Sequence, residues 1–442
     1  MSKRTRKKRL PEPVSHIAID SLAHDGRGVA HVEGKAVFIE GALPGELVGF
    51  EYLVTRRKFD EGQVTDIHQA APDRVTPKCI HFGVCGGCSL QHLSPGAQIA
   101  AKQQVLMDNL ERIGGVSPQS ILPPLTGPVW GYRNKARLGV KDVQKKGRVL
   151  VGFREKHASF VADLTRCEVL HPAAGGRIDV LARLVESLDA RARIPQIEVA
   201  VSDAVTALVF RHLDPLSEAD EVRLADFAAS HGIHVWLQSG GPDTVRPFAP
   251  LDSRLSYQLP GQSVEIRFRP TDFTQVNPAI NAQLVARVLA MLDLSGDDQV
   301  LDLFCGLGNF TLPIARQAGS VTGVEGEAGL VARARDNAAH NRLNNVTFEV
   351  ANLAADCRDS VWAGGSYNKI LLDPPRSGAT GVLDVLGNMQ PQRIVYVSCH
   401  PGSLARDAAV LVREQGYTLV TAGVMDMFPH TAHVESIALF ES

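Results

Sequence analysis

Three short stretches in the C-terminal part of this 442-residue chain carry groups able to do chemistry together. Ser398-Cys399-His400-Pro401 places a thiol at the end of a strand-like run, where a thiolate can attack an electrophilic carbon. Uracil offers such a carbon. Its C5 is a poor nucleophile until a thiolate adds at C6, after which the C5 enolate can take a methyl group from a sulfonium. A base must then remove the C5 proton so that the thiol can leave, and Glu435, in His433-Val434-Glu435-Ser436, is the candidate. Alone, Cys399 would more often be a small buried hydrophobe. The third stretch, Asp373-Pro374-Pro375-Arg376, follows another strand-like run, and its two prolines fix a carboxylate in a rigid turn. Amino-methyltransferases use a similar turn with an aromatic residue after the prolines. Arg376 stands there instead, which disfavours amino methylation.

A ligand-binding turn lies upstream. Leu301-Asp302-Leu303-Phe304-Cys305-Gly306-Leu307-Gly308-Asn309-Phe310 reads as a strand running into a Gly-x-Gly turn, whose glycines let backbone approach a ligand closely. Such a turn alone is weak. The next strand strengthens it by ending at Glu325, about twenty residues on, where a carboxylate can accept both hydroxyls of a ribose. There is no third spaced glycine for a pyrophosphate and no Walker lysine. A nucleoside without phosphates therefore fits better than NAD or ATP, and S-adenosylmethionine is the expected cofactor.

Seven cysteines, an odd number, point to thiol or metal chemistry and not to a disulfide framework. Cys79, Cys85 and Cys88 are spaced C-x5-C-x2-C among glycines, and two residues between thiolates is a chelate spacing. Cys167 is the best unassigned fourth ligand. Zinc and a [4Fe–4S] cluster are both consistent with these thiolates. Cys305 and Cys357 read as structural.

The elements that must position these groups form a multidomain chain. Residues 1–10 are a basic tail with six cations in its first nine residues, while the whole chain carries a formal charge of −2. Residues 11–71 have all-β texture, with Val14–Ile19, Ala36–Ile39 and Leu47–Phe50 as strands of a small barrel. There Arg56, Arg57 and Lys58, with Phe59 and Tyr52, offer an RNA face. Residues 72–270 form an α+β central domain holding the cysteine loop. Its helix from Pro95 to about Ile113 is capped by Ser94 and is expected to pack on the catalytic domain. Residues 271–442 alternate strand and helix, which specifies a parallel, doubly wound α/β sheet with its ligands at the carboxyl ends of the strands. No apolar run reaches the roughly 18–20 residues of a membrane span, and no apolar segment follows the basic N-terminus as a secretory signal requires. A cytoplasmic protein with no membrane partner is expected.

At these residues the sequence resembles the RNA uracil-C5 methyltransferases, specifically the branch with an N-terminal TRAM domain that acts on 23S rRNA. His24-Asp25-Gly26-Arg27-Gly28-Val29-Ala30 through Ala42-Leu43-Pro44-Gly45-Glu46 is the TRAM-like, OB-like piece. Cys85-Gly86-Gly87-Cys88-Ser89-Leu90-Gln91-His92 is the cluster motif, and Asp272-Phe273-Thr274-Gln275-Val276-Asn277-Pro278 leads into the Rossmann-like methyltransferase domain. The resemblance implies a [4Fe–4S] cluster on Cys79, Cys85, Cys88 and Cys167. It implies an S-adenosylmethionine site lined by Gln275, Phe304, Asn309, Glu325, Asn352 and Asp373. It also implies Cys399 as nucleophile, Glu435 as base, a monomer, and 23S rRNA position 1939 as target, with another rRNA position or tRNA as the alternative. One departure is His400, where the family often has asparagine. Two other classes compete. An amino-methyltransferase would need neither Cys399 nor Glu435, and a non-catalytic iron–sulfur RNA-binding protein or redox sensor would not depend on Cys399.

Overall fold

Glu33 and Gly34 take positive φ angles of 50° and 80°, the geometry of a two-residue hairpin turn, and fold Gly28–Val32 back onto Lys35–Glu40 with Val32 opposite Lys35. In the computed structural model, which describes residues 10–442, this hairpin belongs to the first of two compact units, residues 10–101 with His430–His433. The six cations of the tail lie outside the described residues. The unit's six-stranded sheet runs, in spatial order, Val14–Ala18, Leu47–Thr55, Phe59–Gln69, Lys35–Glu40, Gly28–Val32 and Ser21–Leu22. Alternate residues turn inward, so Ile19, Ala30, Val37, Ile39, Val48 and Phe50 form a closed apolar core.

Tyr52 joins that core at 8% exposure, its ring edge-on to Phe50, so it is not part of an RNA face. The outer surface is built differently. The Arg27 guanidinium sits over Phe38, Phe38 meets Phe59 edge-on, and Arg56 sits over Phe59, while Arg56, Arg57 and Lys58 are exposed in the turn before Phe59–Gln69. Buried Glu46 receives amide protons from Leu43 and Ala71 and pairs with Arg74, which pins the chain leaving the sheet to its base.

The second unit holds Lys102–Pro429 and Val434–Ser442. Helix α1 (Pro95–Asn109) is capped as expected, Ser94 Oγ accepting from Ala97 N. It ends in one π turn, Leu110–Gly114, closed by left-handed Gly115. A six-stranded sheet of mixed direction follows, in the order Arg246–Ala249, Ile233–Gln238, Thr206–Arg211, Gln196–Val201, Lys135–Val143, Arg148–Gly152. It is packed by helices Ile178–Ser187 and Glu218–His231.

The hairpin Leu255–Leu259/Val264–Phe268 comes next, then helix α2 (Pro278–Leu292), which Asn277 caps through its side chain. Helix α3 (Ala328–His340) docks the hairpin with amides that imitate a neighbouring strand. Asn337 accepts from Arg267 N and donates to Arg267 O, and Asn341, just past the helix, does the same at Glu265.

The last sheet carries the chemistry-bearing residues. Its strands, numbered along the chain, are β1 (Gln299–Leu303), β2 (Ser320–Glu325), β3 (Val346–Val350), β4 (Lys369–Leu372), β5 (Arg393–Ser398), β6 (Thr418–Met425) and β7 (Glu435–Glu441). Their spatial order is β3-β2-β1-β4-β5-β7-β6, extended beyond β6 by the short strand Ser120–Ile121. The first five are parallel, and the central β1, β4 and β5 are buried almost throughout, as strands covered on both faces are, whereas edge strand β3 keeps part of its length exposed. β7 corrects the sequence reading. It runs antiparallel between β5 and β6, so the sheet is mixed, not purely parallel. Helix α4 (Pro401–Arg413) follows β5. No helix among the described residues is long and apolar enough to cross a membrane.

Candidate active site

At the carboxyl end of β1 the chain turns through Phe304, which takes a φ of 67°, an uncommon left-handed conformation for an aromatic residue. Two backbone hydrogen bonds hold it there, Phe304 N and Cys305 N both donating to Val324 O of the adjacent β2. Strain of this kind persists only where the surroundings over-determine it. Gly306 follows at φ 54°, and a Cβ there would meet nothing within 4 Å, so backbone faces open space.

Glu325, the last residue of β2, accepts at Oε2 from Gly306 N (3.1 Å) and at Oε1 from Gly326 N (2.7 Å) and Glu327 N (3.1 Å). Three amides therefore lock one carboxylate beside the glycine turn. Asn309 is locked too. Its Oδ1 accepts from Tyr257 Oη (3.0 Å) and Asn281 Nδ2 (2.9 Å), and its Nδ2 donates to Asn281 Oδ1 (2.9 Å). Tyr257 comes from the hairpin that Asn337 and Asn341 hold, and Asn281 comes from α2.

Asp302 was not singled out from sequence, and it belongs here. Its Oδ2 accepts from Thr311 Oγ1 (2.5 Å), while Oδ1 is buried without a partner. Burial pushes its carboxyl up to about 7 against the Thr311 hydrogen bond, with Asp373 and Glu325 adding to the rise. A buried, unsatisfied carboxylate oxygen beside an open glycine turn suits a cationic or donor-bearing ligand. The open backbone, the amide-locked Glu325 carboxylate and this orphan oxygen together fit a phosphate-free nucleoside such as S-adenosylmethionine.

The second half of the site lies two strands away. Asp373 follows β4, and desolvation pushes its carboxyl up to about 7. Ser398 of β5 is in register with Ser436 of β7, which puts Cys399 opposite Glu435, the first residue of β7. Met425, the last residue of β6, pairs with Glu435 from the other side. Burial pushes the Cys399 thiol up to about 11; the negative charges of Glu435 and Asp373 add to this and Arg376 opposes it. Burial and Asp373 likewise push Glu435 up to about 8, with Arg376 and Lys102 opposing. These influences place Cys399, Glu435, Asp373 and Arg376 in one electrostatic cluster.

His400 has a clear local task. Its Nδ1 accepts from Ser403 N (3.1 Å) and so caps α4, as asparagine would in the same place.

The remaining predicted residues are more loosely held. Gln275 is half-buried, two residues before the Asn277 cap of α2, and Asn352 is exposed just past β3, accepting from Ala354 N. Cys305 and Cys357 are buried, and burial raises both thiols, as befits structural residues. Cys79, Cys85, Cys88 and Cys167 are half-buried and in no disulfide, and Cys85 Sγ accepts from Gly87 N at 3.4 Å. That donor chemistry suits a soft metal centre. Among the described residues, however, no group of three or more His, Cys, Asp or Glu is so placed that it could hold a metal ion.

Lys102 was also missed. It lies on the apolar stripe of α1 between Ile99 and Leu106, a spacing at which a lysine signals a buried charge.

Comparison with known proteins gives the family. Residues 203–442 match the family described as tRNA (Uracil-5-)-methyltransferase, and residues 14–49 match the TRAM domain. A protein of Xanthomonas campestris pv. campestris (strain 8004), named 23S rRNA (uracil(1939)-C(5))-methyltransferase RlmD, is 56% identical over 427 residues, 96% of each chain. One of the same name from Nitrosococcus oceani is 55% identical over 443 residues, covering 100% of this chain and 99% of the other. Among solved structures, Pyrococcus abyssi tRNA (uracil-54, C5)-methyltransferase in complex with S-adenosyl-L-homocysteine shares the fold. Its TM-score is 0.73 at 23% identity, over 96% of this chain and 99% of that one.

Proposed function

The chain belongs to the RNA uracil-C5 methyltransferase family, and from that premise we propose that it methylates C5 of one uridine of 23S ribosomal RNA, the counterpart of position 1939, through covalent addition of Cys399. The observation that carries the reading is the register of β5 and β7, which sets a thiol opposite a carboxylate at the sheet edge where ligands bind. S-adenosylmethionine supplies the electrophilic methyl group and departs as S-adenosylhomocysteine. Phe304, Asn309, Glu325 and Asp373 hold it in this reading, together with Gln275, Asn352 and the newly found Asp302.

The electrostatics suggest an order of events. Cys399 and Glu435 each disfavour charge on the other, so the cluster carries one of the two negative charges more easily than both. Cys399 first gives its proton to solvent, and its Sγ lone pair bonds C6 as the C5=C6 π electrons move toward C5 and O4. Forming the C–S bond removes the thiolate charge, which makes Glu435 easier to ionise at the stage when it must act. After C5 has taken the methyl group, the Glu435 carboxylate removes the C5 proton. The C–H electrons restore C5=C6, and the C–S bond breaks to return Cys399. Neither atom is reachable in a stacked helix, so the uridine is unpaired or flipped out.

The four half-buried thiols Cys79, Cys85, Cys88 and Cys167 carry the companion proposal of a [4Fe–4S] cluster, supported by the chemistry of the donors alone. No step above runs through it. Iron and acid-labile sulfide near four each per anaerobically purified chain support it, and one zinc per colourless chain rejects it.

Mass-spectrometric mapping of 23S rRNA from cells with and without the gene tests the substrate. One C5-methyluridine should vanish at the counterpart of position 1939. Loss at another rRNA position, or in tRNA only, transfers the activity to that RNA.

A further inference from the structure

Lys102 is 2% exposed and Asp426 is 3% exposed, and Lys102 Nζ meets Asp426 Oδ1 at 2.7 Å and Phe428 O at 3.0 Å. Burying such a pair gives up strong hydration of both ions, and a well-packed apolar pair in its place is often no less stable. Stability alone therefore gives little reason for this pair. Its position gives a better one.

Asp426 immediately follows Met425, the β6 residue in register with Glu435, and Asp426 N donates to Leu125 O, which fixes the strand end. The ammonium thus ties down the chain that lies alongside the base. Two of its three protons are used, on Asp426 and Phe428, and its charge acts on Glu435 as well. The charged and titratable groups around Glu435 are Asp373 and Arg376 from the end of β4, Cys399 from the end of β5, Asp426 from the end of β6, and Lys102 from α1.

We propose that Lys102, paired with Asp426, is a positioning residue for Glu435: it anchors the strand end that presents the base and balances the negative charge of Asp373 beside it. The inference rests on the assignment of Glu435 as the base that resolves the covalent intermediate. It goes beyond that assignment by naming the cation that makes the base usable.

Release is thereby separated from attack. Removing Lys102 should hinder the last step, in which Glu435 must be ionised, far more than the first, in which it need not be. The test is single-turnover reaction of the full chain with a 23S rRNA fragment between pH 6 and 9.5, following formation and decay of the covalent RNA adduct. Three proteins are compared: wild type, Lys102→Met, and Lys102→Met/Asp426→Leu, which leaves no orphan charge.

In both variants the pH limb of adduct decay should move up by about one unit. Decay below that limb should slow about tenfold, while adduct formation changes less than about threefold. If Lys102→Met does not fold, the double variant decides alone. A decay limb unchanged from wild type, or equal loss of formation and decay, overturns the proposal. If wild type itself forms no adduct, the mechanism it rests on falls first and takes this inference with it.

Discussion

Glu435→Gln should make the protein more stable at alkaline pH while abolishing turnover. The side chain keeps its length and loses only its ability to ionise. Burial and Asp373 push the Glu435 carboxyl from its ordinary value of 4.5 up to about 8. The folded state therefore binds this proton more tightly than the unfolded chain does. Stability from this group is fully present below pH 4.5, is lost as pH rises toward 8, and is constant beyond.

At about 1.4 kcal/mol per unit, the full loss would be ~5 kcal/mol. Glu435 is half-buried and keeps some exposure to solvent, so about half of this, ~2 kcal/mol, is the working figure. Glutamine does not titrate, and Asp302 and Asp373 remain in both proteins and cancel to first order. The assay is denaturant unfolding of both proteins at pH 5, 7 and 9, read as the difference in unfolding free energy. The gap should be small at pH 5, favour Gln by ~1.5 kcal/mol at pH 7, and reach ~2 kcal/mol at pH 9. A gap that is flat with pH, or that opens in favour of the wild type, refutes the assignment of a desolvated base at this position.

Glu325→Gln places an amide among three backbone donors, so S-adenosylmethionine binding measured by calorimetry should weaken by about 10–100-fold; an unchanged Kd removes Glu325 from the cofactor site. His400→Asn should retain the α4 cap and unfold within about 0.5 kcal/mol of the wild type, whereas His400→Ala should lose ~1 kcal/mol. Equal stability of the alanine variant would show that the cap contributes nothing. Replacing Arg56, Arg57 and Lys58 together by alanine should weaken RNA binding and flatten its log–log salt dependence by about 0.7–0.9 for each phosphate that these cations neutralise. An unchanged slope would place the RNA footprint elsewhere.

Much of the catalytic half was legible because its signals are local. Buried parallel strands read as short apolar runs, and five of them end at the residues expected to face a ligand. What stayed hidden depends on residues distant in sequence. β7 is seven residues, largely apolar, after an irregular loop, and nothing local says that it inserts antiparallel between β5 and β6. That insertion is what brings Glu435 opposite Cys399. Sequence named both residues, but the physical reason for their meeting is a register. Tyr52 was misread because an aromatic near a basic turn looks like a nucleic-acid platform until the alternation of its strand shows that it points inward. Asp302 and Lys102 did leave traces, each a charge at a position where the periodicity asks for an apolar residue. Such violations mark the places where a fold gives up stability for chemistry.

The central claim is that Cys399 bonds C6 of a uridine. An RNA fragment carrying 5-fluorouridine at the target position cannot lose fluorine as a proton, so the wild-type chain with S-adenosylmethionine should be trapped as a methylated covalent complex. Digestion and mass spectrometry of that complex should place the nucleotide on the peptide containing Cys399, and Cys399→Ala should form none. A nucleotide found on Cys305 or Cys357, or a Cys399→Ala variant that still methylates uridine, would contradict the account.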